Sequence, residues 1–130
     1  MHPKRILVVD DDGPILRLVA TVLRRENYEV DTAGGGREAL SKIELTPYDV
    51  IVLDLMMPDV TGYDVLKSLY ARVPQVKCVV ILSAASSFEL ATSTNPNVFI
   101  TLRKPFEIAA LISAVGACIE SPCVSVAAVA

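Results

Sequence analysis

Short runs of consecutive apolar, mostly β-branched residues recur along the chain, and between them the apolar positions spread out to a helical period. Ile6-Leu7-Val8-Val9 is the first such run. Over residues 14–26 that follow, Ile15, Val19, Val22 and Leu23 fall on one helical face. Pro14 suits the opening turn of that helix, where its missing N–H has no partner to lose. Residues 28–32 read as a weaker strand, Gly34-Gly35-Gly36 as a turn, and residues 37–45 as a short helix with Ala39, Leu40 and Ile43 inward. Val50-Ile51-Val52-Leu53 is the next strand. A loop runs from Asp54 to Thr61, holds Pro58 and closes at Gly62, and residues 63–71 form a helix that turns Val65, Leu66 and Leu69 to the core. Cys78-Val79-Val80-Ile81-Leu82 is the fourth strand.

The stretch from Ser83 to Asn97 is rich in Ser, Thr and Asn, whose side chains compete with helical hydrogen bonds; a short, loosely held helix is expected near residues 87–92. Residues 98–102 form a fifth strand. From Phe106 onward, Ile108, Leu111, Ile112, Val115 and Ile119 carry the clearest helical stripe in the chain. Strands that are apolar at every position suit a parallel sheet covered on both faces. Alternation of strand and helix therefore predicts an α/β fold: a doubly wound, five-stranded parallel sheet of order 2-1-3-4-5 in a three-layer α/β/α arrangement. No internal repeat or second domain is evident. Ser121-Pro122 ends the last helix, so residues 4–120 are expected to form the domain. The uncharged residues 121–130 read as a C-terminal tail or truncated linker, with a docked segment or partner contact as the alternative.

Composition narrows the function classes. The chain has 130 residues, 52% hydrophobic and 21% charged, with a mean hydropathy of +0.48, enough for one core without a metal or disulfide staple. A net charge of −3 argues against direct nucleic-acid binding, which needs a basic footprint. No apolar run approaches the ~18 residues of a membrane span, and no export signal opens the chain, so a cytoplasmic domain without membrane contact is expected. Cys78, Cys118 and Cys123 make an odd number without a C-x-x-C pair and read as reduced thiols. His2 is the only histidine, which excludes a His-rich zinc site and a Ser-His-Asp triad.

In an open parallel sheet, ligands gather beyond the carboxyl ends of the strands. Strand one ends in Asp10-Asp11-Asp12, strand three in Asp54, strand four in Ser83, and strand five runs through Arg103 into Lys104-Pro105. With strands one and three adjacent, Asp10 and Asp11 face Asp54. Like charges that close cannot all ionise alone: either a proton is shared or a cation sits among them. Hard carboxylate oxygens suit Mg2+, whereas zinc prefers His or Cys. Asp12, just ahead of Gly13-Pro14, reads as a helix N-cap.

These segments resemble a known family. ILVVDDD, VIVLDLMMPDVTG, VVILSA and LRKPF, in this order and at intervals that leave one helix and one strand between successive sites, are similar to the receiver domain of two-component response regulators, from residue 5 to about 119. The resemblance implies a flavodoxin-like topology and a phosphoacceptor, Asp54, that takes a phosphoryl group from a sensor histidine kinase or phosphotransfer protein. It implies Mg2+ as cofactor, held by Asp11, Asp54 and the backbone carbonyl of Met56, with Asp10 assisting through the metal's waters. It further implies that Lys104 supplies a positive charge and Ser83 a hydroxyl to the phosphoryl oxygens, and that the Lys104–Pro105 bond is cis. Such a protein is no enzyme beyond its own phosphorylation and dephosphorylation. Its phosphorylation shifts the face made by the helix near residues 87–92, the fifth strand and the last helix, toward a partner, an effector domain or a second copy.

The chain departs from the pattern at Thr101, where receivers usually carry Tyr or Phe. Phe99, two residues earlier, is expected on the same strand face. A receiver-like interaction module that works without phosphate is therefore the alternative. An aspartate-based phosphatase is disfavoured by Met56, where a second Asp is wanted. A flavin binder is disfavoured by the acidic loop after strand one, and a calcium loop by its missing alternate ligands.

Overall fold

The computed structural model describes residues 3–72, 78–83 and 98–120. Strand β1 spans Arg5–Val9, helix α1 Gly13–Arg25, β2 Glu29–Ala33, α2 Gly36–Leu45, β3 Val50–Asp54, α3 Gly62–Arg72, β4 Cys78–Ser83, β5 Val98–Arg103 and α4 Ile108–Glu120. The expected elements that fall within the described residues are present, with ends displaced by one or two residues. The helix expected near residues 87–92, the tail 121–130 and Cys123 lie outside the described residues.

All strand pairings are parallel, in the order β2-β1-β3-β4-β5. The unbroken apolar runs have the reason the sequence suggested, because β1 and β3 are buried on both faces. Ile6, Val8, Val50 and Val52 join Val80 and Leu82 in one cluster with Val19, Ala20 and Leu23 of α1 and Leu111, Ala114, Val115 and Cys118 of α4. Leu7, Val9, Ile51 and Leu53 face the opposite layer, among Ala39 of α2 and Val65, Leu66 and Leu69 of α3. Each fully buried Val, Leu or Ile contributes roughly 1.5–3 kcal/mol of transfer free energy. The central strands thus form the rigid part from which the loops project.

Two expectations are corrected. In α4 the buried positions are Leu111, Ala114, Val115 and Cys118, so the core-facing line is turned away from Ile108 and Ile112, which are only half-buried. Ala114 and Cys118 are small enough to lie close to the sheet, and residue size decided this face as much as hydrophobicity did. Phe99 and Thr101 do not share a strand face. Pairing jumps from Val79↔Val98 to Val80↔Ile100, which leaves Phe99 as an extra residue. Phe99 packs on the α1–α4 cluster, whereas Thr101 stands opposite Ile81, a member of the other cluster.

Local chemistry sets the helix starts. The Asp12 carboxylate accepts the Ile15 N–H at 3.2 Å, the cap expected of it, and Pro14 occupies the first turn. At α3, Thr61 Oγ1 accepts the Asp64 N–H at 3.2 Å while Asp64 Oδ2 accepts the Thr61 N–H at 2.9 Å, a reciprocal capping box. Gly62 begins α3 where no larger residue fits. A Cβ there would lie 2.3 Å from the Asp54 carbonyl oxygen and 2.5 Å from Leu55 Cα. The helix start is thereby pressed onto the backbone that carries Asp54.

This predicts opposite signs for the same exchange in two helices. Gly62→Ala is expected to destabilise the domain by about 1–3 kcal/mol, since backbone must move to admit the methyl. Gly116→Ala, with nothing within 4 Å of the added Cβ, is expected to stabilise it by about 0.5–1 kcal/mol through helix propensity. Urea unfolding of both variants reads the two signs.

Candidate functional site

Parallel strands deliver their carboxyl ends to one edge of the sheet, and the polar residues singled out in the sequence arrive there together. Asp10 directly follows β1, Asp54 is the last residue of β3, Ser83 the last of β4, and Lys104 directly follows β5. Backbone hydrogen bonds fix these ends. The Asp10 N–H donates to the Ala33 carbonyl at 3.2 Å, the Leu55 N–H to Leu82 at 3.3 Å, and the Lys104 N–H to the Ser83 carbonyl at 2.9 Å.

Asp10 is 1% exposed, Asp54 3%, and Ser83 is fully buried, while Asp11 is exposed. One carboxylate oxygen from each of Asp10, Asp11 and Asp54 lies within 4.8 Å of the others. Asp10 Oδ1 accepts the Asp12 N–H at 2.9 Å, and Asp54 Oδ1 accepts the Met56 N–H at 3.2 Å. Lys104 Nζ stands 2.8 Å from Asp10 Oδ2 and 3.6 Å from Asp54 Oδ1, making an ion pair with each. The Lys104–Pro105 peptide is cis, as the resemblance implied.

The electrostatics follow from this geometry. Burial, and then the neighbouring Asp10 charge, push the Asp54 carboxyl up to about 6, against the opposing pull of Lys104 and the Met56 amide, with Asp11 adding a smaller upward push. For Lys104, burial acts downward, but the hydrogen bond to Asp10 and the charges of Asp54 and Asp10 outweigh it, so its pKa rises and it stays an ammonium. The site therefore carries more negative charge than its one lysine offsets, in a place water reaches poorly.

The structure joins Asp10 and Asp54 through Lys104, brings an Asp11 oxygen within 4.8 Å of theirs, and sets Ser83 at the end of the strand beside Asp54. Met56 joins through its amide. What sequence reasoning missed is the ion pair between Lys104 and Asp10, partners 94 residues apart. The sequence offered a shared proton or an added cation as remedies for the repulsion, and the lysine is a third, supplied by the fold. Cys118 is a buried thiol whose burial pushes it up to about 12, consistent with an inert core residue. An apolar pocket of about 400 Å3, lined by Leu40, Ile43, Leu45 and Leu69 among others, lies between α2 and α3 and contains none of these polar residues.

Comparison with known proteins agrees with this arrangement. The family model described as "Response regulator receiver domain" matches residues 6–116. The chain belongs to that family: it is a receiver domain of the two-component response regulators. It is 38% identical over 88 residues to the probable transcriptional regulatory protein TcrX of Mycobacterium tuberculosis, covering 68% of this chain and 37% of that protein. It resembles the CheY-like receiver domain protein of Methanospirillum hungatei JF-1 with a TM-score of 0.85 and 27% identity, over 92% of this chain and 95% of that one. It also resembles the response regulator TrrA of Thermotoga maritima, whose structure was solved in complex with Mg2+–BeF, with a TM-score of 0.79 and 33% identity over 88% and 98% of the two chains. The chain spans 32% to 43% of the length of the first three curated relatives.

A raised Asp54 pKa has a definite sign in stability. The folded state binds this proton more tightly than the unfolded chain does. The group's contribution is therefore fully present below the ordinary value of 3.8 and is lost as pH rises through about 6. In chelator at pH 7.5, Asp54→Asn is expected to be more stable than the wild type by about 1–3 kcal/mol, and the gap should close near pH 3.5. Paired denaturant titrations at the two pH values check this. A gap of equal size at both would contradict it.

Proposed function

We propose that Asp54 is the phosphoacceptor of this receiver domain, taking a phosphoryl group from the phosphohistidine of a sensor kinase or phosphotransfer protein, or from a small phosphodonor. The observation that carries the reading is a buried carboxylate at the end of a central strand, with an ammonium at 3.6 Å and oxygens of two further carboxylates within 4.8 Å. An Asp54 oxygen attacks phosphorus, the P–O bond forms as the P–N bond to the donor imidazole breaks, and the imidazole leaves with a proton. Lys104, now between Asp10 and Asp54, is close enough to turn its ammonium toward phosphoryl oxygens. Ser83 offers a hydroxyl from the adjoining strand end. The Met56 amide orients Asp54 before attack.

Mg2+ fits the site by chemistry. Three carboxylates supply hard oxygen ligands from two adjoining strand ends, with no histidine or cysteine among them. Asp11 and Asp54, with the Met56 backbone carbonyl, would hold the ion, and Asp10 would act through its waters. When bound, Mg2+ supplies the charge that lets an anionic donor approach acidic residues. This domain, taken as residues 4–120, turns over no separate substrate; its phosphorylated state would control an attached effector domain, a partner or a second copy. The short match to longer transcriptional regulators supports an effector. Among the described residues no helix is long and apolar enough to cross a membrane, which accords with a cytoplasmic regulator.

Thr101 favours a second reading, a module that binds its partner without phosphate. The switch aromatic is absent from its usual place, and Phe99 is committed to the opposite core cluster. Beryllofluoride titration in Mg2+, followed by amide resonances, separates the two. Shifts spreading from Asp54 into β5 support the phosphate switch, and shifts confined to the acidic edge support the module.

The direct test is transfer itself. With acetyl phosphate or phosphoramidate in Mg2+, the wild type is expected to gain one acid-labile phosphoryl group, detected by intact mass, and Asp54→Asn to gain none. Undiminished labelling of the variant would move the acceptor elsewhere.

A further inference from the structure

The loop that carries Met56 past Asp54 is fastened to α2 in a way that breaks two local preferences at once. Arg37 stands in the first turn of α2, where a positive charge opposes the helix dipole. Asp59 has φ 66°, a left-handed backbone conformation that non-glycine residues adopt at a cost. The two are explained together. Arg37 Nε and Nη2 donate to Asp59 Oδ2 and Oδ1 at 2.6 and 3.3 Å, a two-pronged ion pair across the surface. The side chains are 75% and 65% exposed, so the pair adds little to global stability. What it fixes is position.

The adjoining residues show how close the fastening is. A Cβ on Gly36 would lie 2.3 Å from the Val60 carbonyl oxygen and 2.6 Å from Val60 Cγ1, so the loop lies directly on the backbone that opens α2. At its other end the loop is closed by the Gly62 N–H donating to the Leu55 carbonyl at 3.1 Å and anchored inward by the buried side chains of Leu55 and Met57. Between the anchors, Pro58 has a ring-fixed φ and restricts Met57 as well. A short, stiff segment thus ties Asp59 to Met56, whose amide bonds Asp54 Oδ1.

We infer that Arg37 and Asp59 form a clasp through which the start of α2 positions the phosphoacceptor, with Arg37 a positioning residue that never touches the phosphoryl group. A locally unfavourable pair at an exposed surface is the kind of inconsistency expected where a site is being held in place. The inference rests on the reading of Asp54 as phosphoacceptor only for its kinetic consequence; its geometric consequence, the setting of the Met56 amide, stands apart from that reading.

A double-mutant cycle tests it on the whole chain. Arg37→Gln removes the charge and the guanidinium fork, Asp59→Asn removes the charge at constant size, and Asn tolerates the left-handed backbone. Each single change is expected to slow Mg2+-dependent labelling by acetyl phosphate about two- to fivefold and to shift the Met56 amide resonance. The double change should do no more than either single one, and Arg37→Lys should restore part of the rate. Unfolding midpoints should stay within a degree or two of the wild type, which separates positioning from stability. Single variants that leave the Met56 resonance in place, or effects that multiply in the double variant, would overturn the clasp. If the wild type took no label, the phosphoacceptor reading would fall, and the Met56 resonance would still decide the clasp.

Discussion

Two nearly inaccessible carboxylates, Asp10 and Asp54, face one another at the end of the sheet, and the cost of that arrangement shapes everything around it. Neither is there for stability: burial and mutual repulsion raise the Asp54 pKa well above its usual range. Lys104 offsets part of the cost through its ion pair with Asp10, and the amides of Asp12 and Met56 offset part of the rest. The deficit that remains is an affinity for positive charge. Three carboxylate oxygens within 4.8 Å of one another suit a divalent cation there.

The fold supplies the stiffness this needs. Repulsive groups can be held together only on elements that do not yield, and β1 from Ile6 onward and β3 are buried on both faces. Gly62 extends that stiffness to the loop by letting α3 begin against the carbonyl of Asp54, and Gly36 does the same for α2 against Val60. The sheet and the two helices on one of its faces thus converge on one carboxylate. Small residues at the contacts leave the backbone, not flexible side chains, to set its place.

Much of this was legible in the chain. Unbroken runs such as Val50-Ile51-Val52-Leu53 imply strands covered on both sides, hence a parallel sheet with helices on each face. Polar residues that directly follow such runs must then collect at one edge, which found Asp10, Asp11, Asp54, Ser83 and Lys104. Asp12 as a cap and Pro14 in the first turn follow from local hydrogen bonding alone. What was not legible depends on register and size. The shift between Val79 and Val80 that turns Phe99 away from Thr101 has no signature in a β-branched strand. The face of α4 is set by the small Ala114 and Cys118, which a count of large apolar residues passes over. The Lys104–Asp10 and Arg37–Asp59 pairs join distant segments, and only the assembled sheet brings them within reach.

The central claim is that the acidic edge is built to receive a divalent cation without rearranging. A crystal structure determined with Mg2+ tests it most directly. The account predicts the ion at about 2.0–2.1 Å from carboxylate oxygens of Asp11 and Asp54, with the strand ends where they are now. An ion bound elsewhere, or Asp10 and Asp54 swung apart on an otherwise unchanged sheet, would contradict it.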